Sequence, residues 1–599
     1  MAKAHTFQIP VMGIGFTIDT PLKVSKYGID SVLSLVDDIL LEKLRKMYCT
    51  KFEIPYHEIT DKIDDFRAKR ITSYLNLLND LAEKKFDELK SSANGVKEYF
   101  NLLPDTSELK QEFKKLTEKT FNFNEISSWV KENIPMGSID VNIMTKIDSD
   151  NYKNGEKLPI EYNDAHAAVR GFAESKLKSS LVLSAGMNPR LYTYMENFKD
   201  FYPDENGELK KKIVIKVSDF RSAFIQAKFL AKKGLWVSEY RIESGLNCGG
   251  HAFATDGFLM GPILAEVKKN KEELIREVDI LFKDGLKAKG KEVPAEVLPI
   301  KITVQGGVGT AEEHEFLLNH YEMDMVGWGT PFLLVPEAVN VDEKSLDLLS
   351  VAKEDDLYLS DISPLGVKFN SLRGNTKDEE KLQMAADGKP GSLCPKQYLV
   401  SNKEYTDKAI CTASYRFQRL KIKELNEKNL NETEYKKEYD KIIDKSCICV
   451  GLGTSALINY GLDTKVEGLG VSICPGPNMA YYSKRRTLKE MVDNIYGRTN
   501  TFNHSNRPNM FIKELDLYID YMKTKLEEAK ESFTVAQGRY LIKFGKNLED
   551  GISYYNNLFD NLKGAFEDTK DKMISDLESS KNALNNLIAE VKQLTEVVA

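Results

Sequence analysis

The sequence predicts an α/β fold: a (β/α)8 TIM barrel with a helical insertion, followed by a Cys-rich module and a C-terminal helical region. Short apolar runs alternate with helical patterns through the first half of the chain, which is typical of βα repeats. There are eight such runs, and hydrophobic residues make up 42% of the 599 residues, enough to bury a large core. The predicted strands are Gln8–Gly13, Ser31–Val36, Ile139–Met144, Ser180–Ser184, Ile213–Val217, Val237–Glu243, Ile300–Gln305 and Met325–Gly327.

The number of predicted strands favours a closed barrel over an open sheet. Eight parallel strands in one series suit a barrel, which closes with eight βα units. A doubly wound sheet is the alternative, because its strands and helices alternate in the same way. Strand counting leaves that alternative open.

The interval between the second and third predicted strands has strong helical character. The stretch Ile71–Ala82 carries apolar residues at helical spacing, so residues 40–135 are predicted to be a helical insertion in the barrel. A lid, an oligomer contact and plain helical packing are equally compatible with this pattern.

The sequence pattern changes after residue 350, which divides the chain into predicted domains 1–350, 351–500 and 501–599. Residues 351–500 hold five of the seven cysteines. Residues 509–599 contain no proline and place apolar residues at helical spacing, which predicts a helical hairpin or bundle. This last region could dock on the barrel or pair with another subunit.

Composition excludes several classes of protein. A net charge of -7 and a pI of about 5.8 lack the basic footprint of a nucleic-acid binder. The N-terminus has no charged segment followed by a long apolar one, and no apolar run is long enough to span a membrane. Seven cysteines without a secretion signal indicate reduced thiols or metal ligands. We therefore expect a cytoplasmic protein without nucleic-acid or membrane partners.

Two glycine loops give the strongest local signal. The segment Ile302–Glu313 is a strand that ends in Gly306, Gly307 and Gly309 and opens a helix. Glycines let the backbone approach an anion, and a helix N-terminus presents N–H groups to it. A second strand ends in Gly329-Thr330. Because the loops after strands 7 and 8 of such barrels commonly hold a phosphate, the pair predicts a phosphate site.

Further motifs occur in order along residues 8–340, interrupted by the insertion. They are Pro10–Pro21, Val141–Asn142, Lys216–Asp219, Ser244–His251 and the two glycine loops. Together they resemble the FMN-binding barrel family of nitronate monooxygenases (2-nitropropane dioxygenase-like) and flavin enoyl reductases. The stretch Asp355–Lys368 is similar to a segment that follows the barrel in the enoyl reductases of polyunsaturated fatty acid synthases.

The resemblance implies an FMN site and a catalytic histidine. His251 stands where the family places the histidine of a Gly-Gly-His motif near the flavin, and an imidazole can take a proton near neutral pH. Asn247-Cys248 departs from the family's usual residues, which leaves the substrate open. The implied cofactor-binding residues are Met12, Gly13, Asn142, Lys216, Gly249, Gly250, Gly306, Gly307, Gly309, Gly329 and Thr330.

The cysteines after the barrel are candidate metal ligands. Their spacing is C-x16-C-x35-C-x-C-x24-C, and two of them precede proline, as at many iron–sulfur ligands. A [4Fe–4S] cluster is the preferred interpretation, a four-thiolate zinc site the second, and unligated buried thiols the third. The candidate ligands are Cys394, Cys411, one of Cys447 and Cys449, and Cys474.

Two functional hypotheses follow. In the first, the chain is an FMN-dependent oxidoreductase of a small carbon acid or an enoyl thioester, with NAD(P)H or an electron-donor protein as a candidate partner and a cluster as an electron relay. In the second, it is a non-catalytic barrel scaffold that binds partners, or a second copy of itself, through residues 40–135 and 509–599. Both phosphate loops and His251 are present, which favours the enzyme.

Overall fold

The structure is a computed structural model of the 599-residue chain. It describes residues 4–118, 123–145, 148–184, 186–243, 249–252, 256–502 and 507–598. The predicted departure at Asn247-Cys248 lies outside these residues.

Eight parallel strands close into a barrel, in the order β1-β10-β9-β8-β7-β6-β3-β2. Each of the eight predicted strands overlaps one of them, so the predicted fold class is confirmed and the open doubly wound sheet is excluded. The remaining strands form two small antiparallel hairpins. The strands are β1 (Phe7–Ile9), β2 (Asp30–Ser34), β3 (Ile139–Ile143), β4 (Tyr152–Lys153), β5 (Glu156–Lys157), β6 (Ser179–Leu183), β7 (Lys211–Val217), β8 (Val237–Glu243), β9 (Lys301–Gln305), β10 (Met325–Gly327), β11 (Leu357–Ser360) and β12 (Phe369–Leu372).

Helices surround the barrel and make up most of the chain outside it. They are α1 (Thr20–Val24), α2 (Asp38–Lys51), α3 (Phe66–Lys90), α4 (Ala93–Leu102), α5 (Glu108–Thr117), α6 (Phe123–Asn133), α7 (Asp164–Ala173), α8 (Pro189–Tyr194), α9 (Phe220–Ala231), α10 (Met260–Ala288), α11 (Ala311–Asn319), α12 (Glu343–Val351), α13 (Thr376–Ala386), α14 (Tyr415–Asn426), α15 (Glu432–Asp444), α16 (Ile448–Asn459), α17 (Leu488–Ile495), α18 (Met510–Ala529), α19 (Val535–Asp560) and α20 (Lys570–Val598).

The barrel interior is layered, because residues two apart on a strand point to the same side. Val32, Val182 and Val214 meet in one apolar cluster inside the ring. On β8, the Arg241 guanidinium donates to the Glu239 carboxylate at 2.7 Å, and both side chains are buried. The positions two residues further along these strands therefore point into the mouth of the barrel, at its carboxyl end.

The helical insertion consists of two parts. Helix α3 packs on α1, α2 and α7, and its buried face continues the main hydrophobic core. Helices α4 to α6 build a smaller core around Tyr99 and Val130. Helix α3 therefore belongs to the outer layer of the barrel, and helices α4 to α6 extend this layer.

The C-terminal helices α18, α19 and α20 pack on one another and on the barrel. The backbone N–H groups of Met260 and Gly261, at the start of α10, donate to Glu514 at 2.8 Å and to Tyr555 at 3.0 Å. Phe511 also contacts Phe316 of α11. The sequence leaves open whether this region docks on the barrel or pairs with another subunit. In the structure it docks on the barrel of the same chain.

Among the described residues, no single helix is long and apolar enough to cross a membrane. One pair of consecutive helices, α15 and α16, reaches the required length and composition only together, and it is bent by 51°.

Candidate functional site

A cavity of about 290 Å³ opens at the carboxyl ends of the barrel strands. This is the face on which barrel enzymes build their active sites, because all eight strands deliver loops to it. Its wall includes ten of the eleven predicted cofactor-binding residues and His251. The exception is Gly309, which lies behind the loop, where an added Cβ would meet Phe502 and Arg507.

The floor of the cavity is polar. Lys216, at the end of β7, forms an ion pair with Glu243 at 2.6 Å, and each side chain is 14% exposed. The amide nitrogen of Gln305 also donates to Glu243, at 2.9 Å. Since Glu243 comes two residues after Arg241 on β8, its position in the mouth follows from strand alternation, although the sequence analysis did not select it. The ion pair leaves the floor without net charge.

Within the described part of the chain, two buried amide oxygens on this floor have no hydrogen-bond partner. They are Oδ1 of Asn142 and Oε1 of Gln305, on residues that are each 7% exposed. A buried polar atom without a partner costs about 1–3 kcal/mol, so such atoms are rare unless a ligand or water completes them. Both residues line the cavity, and both oxygens can accept hydrogen bonds from a bound molecule.

The first glycine loop has the backbone conformation that the phosphate prediction requires. Gly306 and Gly307 have φ angles of +101° and +79°, a region that side chains disfavour. The carbonyl of Gly307 accepts from Asn478 at 2.7 Å and from Arg507 at 2.6 Å. The loop is therefore fixed from outside the barrel by two polar side chains.

The N-terminus of α11 differs from the expectation of free N–H groups. The carboxylate of Glu313 accepts from the backbone N–H of Gly309 at 2.8 Å and of Thr310 at 3.3 Å, and the Thr310 hydroxyl caps the N–H of Glu313. Arg507 pairs with this carboxylate at 2.6 Å. Because Glu313 takes the N–H groups of Gly309 and Thr310, these two groups are not available to an anion in the cavity.

The second glycine loop lies against the first strand. Gly329 approaches Pro10 and Met12, so the turn after β10 and the turn after β1 form one wall. The hydroxyl of Thr330 accepts from the backbone N–H of Gly476 at 3.0 Å. Residues beyond the barrel therefore help to position this loop as well.

His251 stands at the edge of the cavity and is held by the β11–β12 hairpin. Its Nε2 lies 2.7 Å from the hydroxyl oxygen of Ser363, and its ring contacts Phe369 edge-on. Gly249, two residues earlier, packs so closely on the carbonyl of Cys474 that a Cβ would lie 2.4 Å from it. Burial lowers the pKa of His251 to about 4, so the imidazole is neutral at neutral pH.

Apolar side chains from residues 351–500 cover the cavity. Leu365, Phe369, Leu399 and Leu452 line it, and Tyr398 beside them donates its hydroxyl to Asp37 at 3.1 Å. None of these residues is predicted to lie in the site from the sequence, because nothing local in the sequence shows that residues 351–500 fold over the barrel mouth. The cavity thus has a polar floor and an apolar roof.

The predicted metal ligands are divided between two places. The thiol of Cys394 contacts those of Cys411 and Cys447, and the contact with Cys411 raises the pKa of Cys394 to about 12. Cys449 and Cys474 line the cavity, and burial raises the pKa of Cys474 to about 12. In the part of the chain that the structure describes, no group of three or more Cys, His, Asp or Glu residues could hold a metal ion.

The described cysteines therefore form no four-thiolate group, and the structure assigns neither an iron–sulfur cluster nor zinc to them. Metal binding stays a prediction.

The chain matches none of the protein-family models. No curated protein matches it either. Among solved structures, it is similar to the enoyl reductase domain of MlnA from the macrolactin biosynthesis cluster of Bacillus amyloliquefaciens, with 14% sequence identity and a TM-score of 0.31. That similarity covers 71% of this chain and 88% of the other. Similarity at this level is no basis for a function.

Proposed function

We propose that this chain is an FMN-dependent oxidoreductase whose active site is the cavity at the mouth of the barrel. The observation that carries the proposal is the convergence of three features on one cavity: paired glycine loops after the seventh and eighth barrel strands, two amide oxygens without a hydrogen-bond partner among the described residues, and His251 at the edge.

The residues of the cavity fit such a cofactor. The loops at Gly306-Gly307 and Gly329-Thr330 would hold the phosphate, because their backbone can approach an anion closely. The oxygens of Asn142 and Gln305 would accept hydrogen bonds from the donors of the cofactor, its ring N–H and its ribityl hydroxyls. Bound FMN supplies hydride-transfer chemistry.

His251 would move the proton of the reaction. A neutral imidazole can remove a proton from a carbon that a neighbouring carbonyl, thioester or nitro group makes acidic, and it returns the proton in the opposite direction. The apolar roof at Leu365, Phe369 and Leu399 favours a substrate with an apolar chain. We therefore propose an acyl or enoyl thioester as the substrate in preference to a small nitronate.

An anaerobic half-reaction tests the proposed function. FMN-loaded protein, reduced with dithionite, is mixed with enoyl thioesters of increasing chain length, and the return of the flavin absorbance is followed. Oxidised protein is mixed separately with nitroalkanes at alkaline pH. Reoxidation by the thioesters, faster with longer chains, supports the proposal. A response to nitroalkanes alone would overturn the substrate class, and a flavin that responds to neither substrate would identify a scaffold.

The low pKa of His251 predicts the pH dependence of proton removal. Protonation abolishes the basic form, so the rate falls as the pH drops through the pKa of the active-site histidine. Because burial lowers that pKa to about 4, kcat/KM for oxidation of a saturated acyl thioester should stay constant from pH 8 down to about pH 5. A decline centred near pH 6.5, the usual range for histidine, would show that the imidazole is not buried in the working enzyme.

A further inference from the structure

We propose that Ser363 is the positioning residue for His251: its hydroxyl holds the imidazole in one rotamer and one tautomer for proton transfer. This inference rests on the proposed function, since it assigns a role to a neighbour of the proposed base. Ser363 lies 112 residues after His251 in the sequence, within the Asp355–Lys368 stretch, whose resemblance to a segment after the barrel assigns it no role.

The contact is short and shielded. Nε2 of His251 lies 2.7 Å from Oγ of Ser363, within the normal range for a hydrogen bond, and Ser363 is fully buried. The same oxygen accepts from the backbone N–H of Leu365 at 3.3 Å. With this bond to Leu365, the oxygen has a second lone pair that can accept from Nε2–H of His251, and that arrangement leaves Nδ1 as the nitrogen without hydrogen.

The loop that carries Ser363 is anchored through its backbone carbonyl groups. The carbonyl of Ile362 accepts from Ser446 at 2.9 Å, and the ammonium of Lys445 donates to the carbonyl of Asp361 at 2.6 Å. The preceding strand of the hairpin, β11, pairs with β12. The loop that carries Ser363 is therefore held by the hairpin on one side and by the start of α16 on the other.

The segment with His251 is attached to the other strand of this hairpin. The backbone N–H of Ala252 donates to the backbone carbonyl of Lys368 at 2.9 Å, and the backbone N–H of Asn370 donates to the carbonyl of Gly250 at 2.8 Å. These bonds form an antiparallel bridge between His251 and Phe369. One hairpin thus fixes both the base and the hydroxyl that it contacts.

The chemistry explains why a hydroxyl suits this position. A neutral imidazole can take a proton only at the nitrogen without hydrogen, and the bond made by the other nitrogen decides which one that is. A carboxylate at this place would also stabilise the imidazolium and raise the pKa. Serine carries no charge, so a Ser363 oxygen that accepts from Nε2–H holds the tautomer with Nδ1 as the base and leaves the imidazole neutral.

Variants at Ser363 test the inference, with a second buried serine as a matched control. Ser360, three residues earlier, bonds to Ser371 and to the carbonyl of Phe369 and does not contact His251 in the described structure. Ser363→Ala removes the hydroxyl, and Ser363→Cys replaces it with a weak hydrogen-bonding group of similar shape, in case the alanine variant folds poorly. Ser360→Ala is the control.

Two readouts are used on the full-length protein. The first is the ¹⁵N spectrum of the histidine side chains, with His251 assigned from its absence in His251→Asn. Wild type and Ser360→Ala should show one tautomer of His251, and both Ser363 variants should show an averaged signal. The second is steady-state turnover of the thioester substrate. In the Ser363 variants, kcat should fall about 10–100-fold, as it does when a partner that orients a metal-ligating histidine is removed, and KM should stay within about threefold.

The two readouts separate this inference from the proposed function. Ser363 variants with the wild-type tautomer and wild-type kcat would overturn the positioning role. A loss of kcat with an unchanged ¹⁵N spectrum would also overturn it, because the hydroxyl would then act in another way. If the FMN-loaded protein turns over no substrate, the proposed function fails, whereas the ¹⁵N spectrum still decides whether Ser363 orients His251.

Discussion

Substitution of His251 by asparagine is expected to slow the half-reaction with substrate by about 100–10,000-fold, the usual contribution of a general acid–base residue. Asparagine keeps a polar group at the cavity edge but cannot exchange a proton near neutral pH. The glycine loops are unchanged, so the affinity for FMN should remain within about threefold of wild type. Stopped-flow absorbance of the bound flavin measures the rate, and fluorescence quenching measures the affinity.

His320→Asn is the matched control for this experiment. His320 follows α11, stacks on Phe316 and is not among the residues that line the cavity. The control should react at the wild-type rate. A His251→Asn protein that also reacts at the wild-type rate would remove the histidine from the mechanism, and an equal loss in both variants would indicate a general effect on folding.

The second large effect is expected at Arg507, which joins the C-terminal region to the first glycine loop. Its guanidinium, 6% exposed, pairs with Glu313, 2% exposed, and also donates to the carbonyl of Gly307. Arg507→Met removes one partner of a buried ion pair and leaves the carboxylate uncompensated, which typically costs about 3–5 kcal/mol of unfolding free energy. Urea denaturation measures this loss.

Arg507→Met should also weaken FMN binding by about tenfold, because the Gly306-Gly307 loop loses a donor that fixes it. Arg485→Met is the control: Arg485 is 41% exposed, and its partners Glu343 and Asp347 are largely exposed as well. Exposed ion pairs contribute little, so this control should change neither stability nor affinity. If Arg507→Met retains the stability and affinity of the control, Arg507 does not fix the loop.

The parts of the site that the sequence predicts are those built by single barrel strands. The order of apolar runs predicts the eight strands. The glycine loops Gly306-Gly307 and Gly329-Thr330 directly follow the seventh and eighth of them. Each of these loops depends on its own few residues, so local patterns and a family resemblance suffice to select it. Lys216 and Asn142 are predicted for the same reason: each is placed in the cavity by a single barrel strand.

The parts that the sequence did not predict depend on contacts between distant segments. Ser363 contacts a residue 112 positions earlier, and Arg507 contacts one 200 positions earlier. No periodicity or motif connects such residues, because their proximity results from how the last 250 residues pack over the barrel. The cysteines show the reverse case: their spacing suggests one site, while packing groups Cys394 with Cys411 and Cys447 and places Cys474 in the cavity wall.

The central claim is that the cavity is a flavin site, and titration of the purified full-length protein with FMN tests it most directly. The flavin-free protein should bind one equivalent of FMN, with quenched flavin fluorescence and a shifted visible spectrum. Gly307→Val, which places a branched side chain at a φ of +79°, should bind it much more weakly. A folded wild-type protein that neither retains FMN on purification nor binds it in this titration would contradict the account.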